Sequence, residues 1–352
     1  TVHRIGFTKS SPTPSDLKRL PLHINKFFFQ FTSAFKAHSL HKKNNYNGVW
    51  AMMAHSTSIP VYIFSILHPK VPYVLTLQEG DPVSYIKKKM LPLHPLFVRG
   101  FRKACVIQAI STFLGRWAKD MGFQGPIEVI PNAVDISKFS RSITAKNRAL
   151  AERKLGKTKG DIYVITTSRL VKKNAIDDVI EALVFLPKNI HFAVLGTGPD
   201  EKALKQLVRD RGMTNRVHFL GHVDHKDIPS YLTAADIFIR PSLSEGMGSS
   251  FIEAMAARVP VIATQVGGIS DFLFDPERNP EIKPTGRAVK VHDPQGIAAA
   301  IEKYIKHPKE TKNIVANAYV MVSSRYDWNL IASDMETRVF RKLYKQNQTK
   351  RI

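Results

Sequence analysis

Apolar residues follow two alternating spacings along the second half of the chain. Short β-branched or aliphatic runs, typical of buried strands, occupy 162–167, 190–195, 217–220, 237–239 and 259–263. Between these runs, apolar residues recur at helical intervals in 176–186, 203–210, 228–234 and 251–257. The alternation predicts an α/β fold with a parallel sheet covered on both faces, which would bind its ligands at the carboxyl ends of the strands.

The first part of the chain shows the same alternation less regularly and predicts a second α/β unit. Its predicted strands are 49–53, 71–77, 104–110 and 127–130. A last amphipathic helix is predicted over 326–344, and we expect it to pack on the first domain. The expected domains are 1–140, a basic linker at 141–160 with a short helix at 149–155, a second domain at 161–323, and the C-terminal helix at 324–352.

Composition and charge limit the kind of protein. With 352 residues and 43% hydrophobic content, the chain is long enough for two domains with cores of their own. The net charge of +23 favours an anionic partner. One cysteine, Cys105, excludes an intramolecular disulfide and fits a reducing compartment. No membrane-spanning helix or leader is predicted, and the start at Thr1, with strand-like residues up to Phe7, is expected of a fragment.

The strongest chemical motif lies in residues 241–256, where Glu245 and Glu253 flank a glycine-containing turn and a helix start. Gly246 and Gly248 allow close backbone approach, and Ser249 and Ser250 are candidate N-caps. The N-terminus of such a helix attracts phosphate, and a carboxylate one turn inside can bind two ribose hydroxyls. An isolated pair of this kind is more typical of a helix-dipole acid and a loop charge.

Other turns are predicted to lie at the same edge of the sheet. Arg169 and Lys173 follow one strand, Gly196 and Gly198 follow the next, and Gly267-Gly268 follows a third. Because carboxyl ends of parallel strands share one edge, these turns are expected to converge on one crevice. Arginine can bind a diphosphate bidentately and lysine supplies a point charge, so the crevice suits a nucleoside diphosphate.

Taken together, these segments resemble the retaining glycosyltransferases of family 4, whose GT-B fold has two facing Rossmann-like domains with a donor cleft between them. The matching segments, in the family's order, are Pro131–Asp135 with Phe139, Arg169-Leu170-Val171 with Lys173, Gly196–Pro199, Phe219–Val223, Glu245–Glu253 and Gly267-Gly268. The resemblance covers nearly the whole chain.

The resemblance implies roles for particular residues. Arg169 and Lys173 would stabilise the leaving diphosphate, and Glu245 would contact the donor sugar. The implied nucleotide-sugar-binding residues are Gly198, Gly221, His222, Val223, Gly246, Met247, Gly248, Ser249, Ser250 and Glu253, with Glu253 on the ribose and Gly221–Val223 near the base. The donor would be a UDP- or GDP-linked sugar, held mainly by the C-terminal domain, with no metal and no further cofactor.

The chain departs from the family pattern on the acceptor side. The family's N-terminal glycine-rich loop is absent, so we expect its first strands and helix to be missing. Trp50-Ala51-Met52 stands where many members have His-x-His, and Ala133 and Ala175 replace common glycines. In place of a segment that usually begins with histidine stands Gln78-Glu79-Gly80-Asp81; Gln78, Glu79 and Asp81 are candidates for acceptor or sugar contacts, and a surface-loop role is an equal alternative.

Two basic stretches bear on further partners. Phenylalanines accompany lysines in 26–43, and Lys87–Lys89, Arg99, Arg102 and Lys103 flank apolar residues in 90–97. Either stretch could lie on an anionic membrane, although the phenylalanines are more typical of core, since a helix must cover the sheet. The resemblance implies a glycan or lipid-linked acceptor and a cytoplasmic enzyme of bacterial polysaccharide or lipid glycosylation. We expect it to be peripheral on the inner face of the membrane.

Alternative functions remain open at this stage. The charge would suit a basic nucleic-acid-binding protein, but no recognition motif is present and no specific nucleic acid is expected. The chain could be a catalytically inactive nucleotide-binding protein, or a dehydrogenase, although Pro199 interrupts the glycine fingerprint after Gly198. We interpret His222 and His225 as solvent-facing loop residues rather than metal ligands, and His38 and His41 as residues of an exposed helix face.

Overall fold

The computed structural model describes residues 1–6, 20, 22–140 and 143–344, which form two compact units. The first unit contains the described residues of 1–131 together with those from Ala332 onward. The second contains the described residues of 132–331. The predictions for Phe7, for residues 141–142 of the linker and for 345–352 of the last helix lie outside the described residues.

The first unit contains a four-stranded parallel sheet whose strands lie in chain order. The strands are β1 (Val49–Met52), β2 (Tyr73–Leu77), β3 (Val106–Ala109) and β4 (Ile127–Val129). All four predicted strands are therefore confirmed, with shorter ends. Strand β2 begins after Pro72, because proline has no N–H to donate to a neighbouring strand.

One helix precedes these strands and the others connect them. They are α1 (Leu22–Asn44), α2 (Ala54–Leu67), α3 (Val83–Met90), α4 (His94–Arg102) and α5 (Thr112–Asp120). Helix α2 packs on both α1 and α4. The crossing with α4 is close, since a Cβ on Gly100 would lie 2.3 Å from the Ser58 carbonyl oxygen. The Ser58 hydroxyl donates to the Phe97 carbonyl across this contact at 2.8 Å.

The phenylalanines of α1 differ from the expectation. Side chains of Phe27, Phe28 and Phe35 are 53%, 51% and 62% exposed. The prediction that they form core is wrong, because α1 covers its neighbour with another face, on which Gln30 and Ala34 are buried. The first unit thus presents aromatic side chains to solvent.

The C-terminal residues return to the first unit. Helix α14 (Trp328–Asp334) continues into a π-helical turn at Met335–Phe340, so the predicted helix is present but irregular. The Phe340 ring lies 5.2 Å from the Trp50 ring of β1, centroid to centroid. Glu128 of β4 accepts hydrogen bonds from Arg338, at 2.9 Å, and from Lys342.

The second unit contains a six-stranded parallel sheet in the order β10-β9-β8-β5-β6-β7. The strands are β5 (Ile162–Thr167), β6 (Ile190–Leu195), β7 (Val217–Gly221), β8 (Ile237–Arg240), β9 (Val261–Thr264) and β10 (Arg287–Val289). The chain first moves outward from β5 to β7 and then crosses back to β8 on the other side of β5. The carboxyl ends of β5 and β8 therefore flank the topological switch point.

Helices cover both faces of this sheet. They are α6 (Ile136–Ser140), α7 (Ala145–Leu155), α8 (Ile176–Ala182), α9 (Glu201–Asp210), α10 (Ile228–Ala234), α11 (Ser249–Ala256), α12 (Pro294–Lys306) and α13 (Pro308–Arg325). Helix α8 is shorter than predicted, since the chain tightens into a 3₁₀ turn at Leu183–Phe185. Strand β10 and helices α12 and α13 have no counterpart among the sequence predictions.

The predicted linker is largely helical. Helix α7 packs against α10 and buries Ala151 and Leu155, so its residues belong to the second unit. Thr144 caps its first turn, and Gly156 ends it in the left-handed conformation. The basic composition reflects the exposed face of this helix rather than a solvated connection between domains.

Candidate functional site

The turns that follow β5 and β6 lie against each other at the carboxyl edge of the second sheet. The Leu170 N–H donates to the Thr197 carbonyl at 3.0 Å. A Cβ on Gly198 would lie 2.1 Å from the Leu170 carbonyl oxygen, and one on Gly196 would lie 1.9 Å from the Ser168 carbonyl oxygen. Both glycines are therefore required by backbone packing, which forms one wall of the crevice edge.

Arg169 precedes a 3₁₀ turn at Lys172–Asn174 after β5, and Lys173 is the middle residue of that turn. The Asn174 side-chain amide donates to the Arg169 carbonyl at 2.6 Å and stabilises this turn. The Leu243 N–H, in the loop after β8, donates to the Lys173 carbonyl at 2.7 Å. The structure thus brings the predicted cation segment and the loop that carries Glu245 to the same edge. Arg169 is exposed and Lys173 is partly buried.

Glu245 is held by the protein on both carboxylate oxygens. Its Oε2 accepts a hydrogen bond from Arg240 Nη2 at 2.6 Å, and its Oε1 accepts from the Gly246 N–H at 3.0 Å. The Gly268 N–H donates to the Glu245 carbonyl at 3.0 Å, which ties the turn after β9 to the same residue. Glu245 is consequently a fixed, ion-paired carboxylate.

Arg240, the last residue of β8, is absent from the sequence predictions. Burial lowers the pKa of its guanidinium, and the carboxylates of Glu245 and Glu253 oppose this shift. A lone arginine in a strand gives no recognisable pattern, although its position directly before the Glu245 loop was a usable signal.

Helix α11 begins differently from the prediction. Gly248, in the left-handed conformation with φ of +87°, stands at the N-cap, so the prediction that Ser249 and Ser250 cap the helix is wrong. The two serines are its first residues, and the Ser250 hydroxyl accepts from Arg240 at 2.9 Å. A side chain at position 248 would cover the first turn, whereas glycine leaves its N–H groups approachable.

Met247 is buried and contacts an earlier segment of the same unit. Its sulfur accepts from the Asn132 N–H at 3.3 Å. The segment at Asn132–Asp135, which carries part of the family resemblance, therefore lies beside the Glu245 loop. Both segments belong to the second unit.

Glu253 lies one turn inside α11 and is held by His225, which the sequence predicts to be a solvent-facing loop residue. His225 Nε2 lies 3.0 Å from Glu253 Oε1, and His225 Nδ1 lies 2.9 Å from Lys138 Nζ. A lysine ammonium can only donate, so Nδ1 accepts and the Nε2–H donates to the carboxylate. His225 is exposed, as predicted, yet it links Lys138 to the proposed ribose-binding glutamate.

The segment predicted to lie near the base follows β7. Gly221 has φ of +68°, and its carbonyl accepts from the Gly196 N–H at 2.7 Å. The His222 side chain is 79% exposed and lies 3.5 Å from Asp224, while Val223 is partly buried. This segment therefore lies beside the turn after β6, at the same carboxyl edge.

The acceptor-side candidates lie in the first unit, after β2. Glu79 is 2% exposed, and its oxygens accept from the N–H groups of His55 and Gln78 at 3.1 and 3.0 Å. Glu79 is thus not a surface-loop residue, because it stabilises the first turn of α2, where Met53 leaves the N-cap without a side-chain acceptor. Gln78 is partly buried and Asp81 is exposed.

Two further histidine interpretations need correction. His38 and His41 of α1 do not form a free helix face, since both contact His68 after α2. His38 Nδ1 lies 2.9 Å from His68 Nε2, and the rings of His41 and His68 are 4.4 Å apart. Burial, followed by the charges of His41 and His38, lowers the pKa of His68.

Within the described ranges, no three His, Cys, Asp or Glu side chains are arranged to hold a metal ion. Of the helices in the described part of the chain, none combines the length and the apolar character needed to span a bilayer.

Comparison with known proteins agrees with this geometry. Residues 147–321 match the family described as glycosyl transferases group 1. TuaC of Bacillus subtilis, which is named for teichuronic acid biosynthesis, is 32% identical over 261 residues, covering 73% of this chain and 61% of its own length. A GDP-mannose-dependent phosphatidylinositol monomannoside mannosyltransferase of Mycobacterium tuberculosis is 27% identical over 74% of this chain and 68% of its own.

Solved structures share the fold. HepE from Anabaena in complex with UDP superposes with a TM-score of 0.75 at 22% identity, covering 87% of this chain and 81% of that one. Sucrose-phosphate synthase from Thermosynechococcus elongatus gives 0.76 at 22% identity, covering 93% and 80%. These matches favour neither the nucleic-acid-binding alternative nor the inactive one. The fold of this chain is GT-B, and its residues 147–321 match the glycosyl transferases group 1 family.

Proposed function

We propose that this chain is a hexosyltransferase that moves a sugar from a UDP- or GDP-linked donor to a glycan or lipid-linked acceptor with retention of the anomeric configuration. One observation carries the proposal. The cation segment at 169–173, the Glu245 loop and the N-terminus of α11 lie at the carboxyl edge of one parallel sheet, beside its switch point.

The proposed chemistry follows from the charges at this edge. When the bond between the anomeric carbon and the diphosphate oxygen breaks, the electron pair stays on the diphosphate. Arg169 and Lys173 would stabilise that charge, together with the N–H groups of Ser249 and Ser250. The acceptor hydroxyl oxygen forms the new bond to the anomeric carbon, and its proton passes to an oxygen of the departing diphosphate. Glu253 would bind the ribose and Glu245 the donor sugar.

Donor binding is tested by thermal unfolding with UDP, GDP and ADP, in the wild type and in Glu253→Ala. A ligand at ~100 times its Kd stabilises the native state by about 2.7 kcal/mol. We expect one uridine or guanosine nucleotide to raise Tm in the wild type and not in Glu253→Ala. The matched control is Glu302→Ala, which removes a partly exposed glutamate paired with Lys306 in α12.

Transfer itself is tested with the nucleotide sugars of the base that binds. NMR of the product reports the configuration at the anomeric carbon, and we expect it to match that of the donor. Inversion would overturn the retaining part of the proposal. If no nucleotide shifts Tm and no sugar is transferred, the proposed function is wrong.

We further propose that the first unit docks on an anionic membrane to reach its acceptor. Phe27, Phe28 and Phe35 project from α1 into solvent, and α1 ends in Lys42 and Lys43. Helix α3 ends in Lys87–Lys89, and Leu91, directly after it, is 69% exposed. Exposed aromatic side chains next to lysines are the combination that inserts at an acidic lipid surface. The mannosyltransferase relative, whose name includes a phosphatidylinositol acceptor, supports this direction.

Membrane docking is tested by co-sedimentation with vesicles of phosphatidylglycerol and phosphatidylcholine. We expect the wild type to bind at low salt and the triple variant Phe27→Ser, Phe28→Ser, Phe35→Ser to bind much less. The matched control replaces the exposed pair Val184 and Phe185 of the second unit with serine. Equal binding by the triple variant and the control would contradict the proposal.

A further inference from the structure

The last residue of β8 is a buried arginine that joins three separate parts of the Glu245–Glu253 segment. The Arg240 side chain is 8% exposed. Its Nε donates to the Ser242 hydroxyl at 3.1 Å, Nη1 to the Ser250 hydroxyl at 2.9 Å, and Nη2 to Glu245 Oε2 at 2.6 Å. One guanidinium therefore connects the strand end, the glutamate loop and the first turn of α11.

The surroundings of Arg240 keep its plane in one orientation. The guanidinium carbon lies 4.3 Å from the centre of the Phe251 ring, which supplies a cation–π contact from α11. Gly248 leaves the space that the guanidinium needs, because a Cβ there would lie 2.7 Å from Nη2 and 2.6 Å from the Phe251 ring. The glycine that opens the helix thus also admits the arginine.

This arrangement determines how Glu245 can act. Oε2 is engaged by Arg240 and Oε1 by the Gly246 N–H, so the carboxylate has little freedom to rotate. A fixed carboxylate contributes to binding without first being ordered. Removing the guanidinium would leave a carboxylate, 14% exposed, that must turn toward another donor or toward water.

We propose that Arg240 is a positioning residue, which holds Glu245 and the first turn of α11 in the orientation that binds the sugar diphosphate. This inference rests on the proposed function. Arg240 is not a catalytic residue, since it is buried behind the groups it orients. Lysine cannot replace it, because a single ammonium cannot bond in three divergent directions within one plane.

The test compares Arg240→Lys and Arg240→Met with a matched pair of variants, Arg287→Lys and Arg287→Met. Arg287 is equally buried in the same sheet, bonds to Glu310 at 2.8 Å and lies 5.4 Å from the Tyr304 ring centre. A misplacement of about 1 Å can lower turnover about 100-fold. We therefore expect kcat to fall about 100-fold in both Arg240 variants and less than about threefold in both Arg287 variants, at comparable losses of Tm.

Two further measurements separate positioning from general destabilisation. In crystals of Arg240→Met, we expect the Glu245 carboxylate to be displaced by about 1 Å or more, whereas in Arg287→Met it should stay in place. Adding Arg240→Met to Glu245→Gln should lower kcat far less than adding it to the wild type, since both changes disrupt one unit.

These experiments distinguish a failure of the inference about Arg240 from a failure of the proposed function. If the wild type transfers sugar and the Arg240 and Arg287 variants lose the same activity, the inference is wrong and the function stands. If the wild type transfers no sugar, the proposed function fails, and the position of Glu245 in the Arg240→Met crystal still decides whether Arg240 orients it. An unmoved Glu245 overturns the inference in either case.

Discussion

The two glutamates of the second unit are held by side chains of different kinds. Glu245 bonds to a buried arginine and to a backbone N–H, so its orientation is set within the core of the unit. Glu253 bonds to the exposed His225, which is itself reached by Lys138. Displacement of His225 is therefore expected to change the orientation of the Glu253 side chain and to leave that of Glu245 unchanged.

Replacement of Arg169 by alanine is expected to lower turnover far more than donor affinity. The guanidinium would interact most strongly with the charge that develops on the leaving diphosphate. Loss of one such donor commonly costs roughly 3 to 4 kcal/mol at the transition state, which corresponds to about 100- to 1,000-fold in kcat. Steady-state kinetics and donor titration of Arg169→Ala measure both quantities.

The neighbouring exposed lysine provides the control for this variant. Lys172 is the first residue of the 3₁₀ turn that follows Arg169, and Lys172→Ala should keep kcat within about threefold of the wild type, because a single exposed charge contributes little. A turnover number that is unchanged in Arg169→Ala would remove this residue from the site.

Replacement of His225 by alanine is expected to weaken nucleotide binding. Without its Nε2–H, the Glu253 carboxylate loses the bond that fixes it and must be ordered when the ribose binds. We expect Kd for the preferred nucleoside diphosphate to rise about tenfold, the equivalent of one hydrogen bond to a charged group. Calorimetric titration measures the change. Lys226→Ala, at the next position of the same loop and also exposed beside Asp224, should leave Kd unchanged, and equal effects of the two variants would contradict the role of His225.

At the scale of single residues, what the sequence revealed depended on spacing along the chain. The motif that contains Glu245 and Glu253 is local, and both residues lie where the pattern placed them. Arg240 and His225 act through partners that are brought close by the sheet and by the loop after β7, and no spacing rule identifies such partners. Glu79 was ambiguous for the same reason, since the backbone it caps lies more than 20 residues away along the chain.

At the scale of elements, strands were predicted more accurately than helices. Buried parallel strands consist of apolar, mostly β-branched runs, and β5 and β6 match their predicted bounds. Helix ends depend on local backbone conformation. Gly248 adopts positive φ, and α11 begins directly after it, two residues before the predicted start at 251. The 3₁₀ turn at Leu183–Phe185 ends α8 before its predicted end at 186.

Gly267→Ala is expected to destabilise the second unit by about 2 to 3 kcal/mol more than Gly212→Ala does. Both glycines have positive φ, of +56° and +65°, so the backbone cost of alanine is similar at the two positions. At Gly267 the added Cβ would lie 2.0 Å from the Glu245 carbonyl oxygen, whereas at Gly212 it would meet open space. Urea unfolding monitored by circular dichroism gives the difference. Equal losses of stability would show that the contact is not tight in solution.

At the scale of the whole molecule, the sequence predicted two α/β units but misplaced the boundary between them. A basic stretch was interpreted as a linker, whereas it contributes α7 to the second unit. Helix α7 buries only Ala151 and Leu155, so most of its side chains are polar. Its composition therefore resembles that of a solvated segment, although the helix is packed. The contacts of the last helix with β4 join residues 210 and 214 positions apart, and its contact with β1 joins residues still farther apart, so no local pattern encodes either.

The stability that the last helix gives to the first unit is expected to depend on pH, because the helix is bound to the carboxylate of Glu128. Burial alone would raise the pKa of Glu128, but hydrogen bonds from Lys342 and Arg338 outweigh it and leave the pKa below its ordinary value. With a folded pKa below the unfolded one, the stabilisation is fully present above the unfolded value of about 4.3 and is lost as pH falls through the folded value. The wild type should therefore lose stability below about pH 4.3 more steeply than Glu128→Gln.

Denaturant unfolding at pH 7, 5, 4 and 3 measures this difference. Glu336→Gln is the matched control, because Glu336 pairs with Arg341 on the same segment at an exposed position. Identical pH profiles of the wild type and Glu128→Gln would exclude the ion pair as a contributor.

The return of residues from Ala332 onward to the first unit has a consequence for synthesis on the ribosome. All strands of the first sheet are made early, yet the segment that covers β1 and β4 emerges after the entire second unit. The second unit can therefore fold before the last helix of the first unit has been synthesised. Nascent chains that end before Ala332 should accordingly protect the second unit from protease and leave the strands of the first open to chaperones, so that assembly proceeds from the middle of the chain outward.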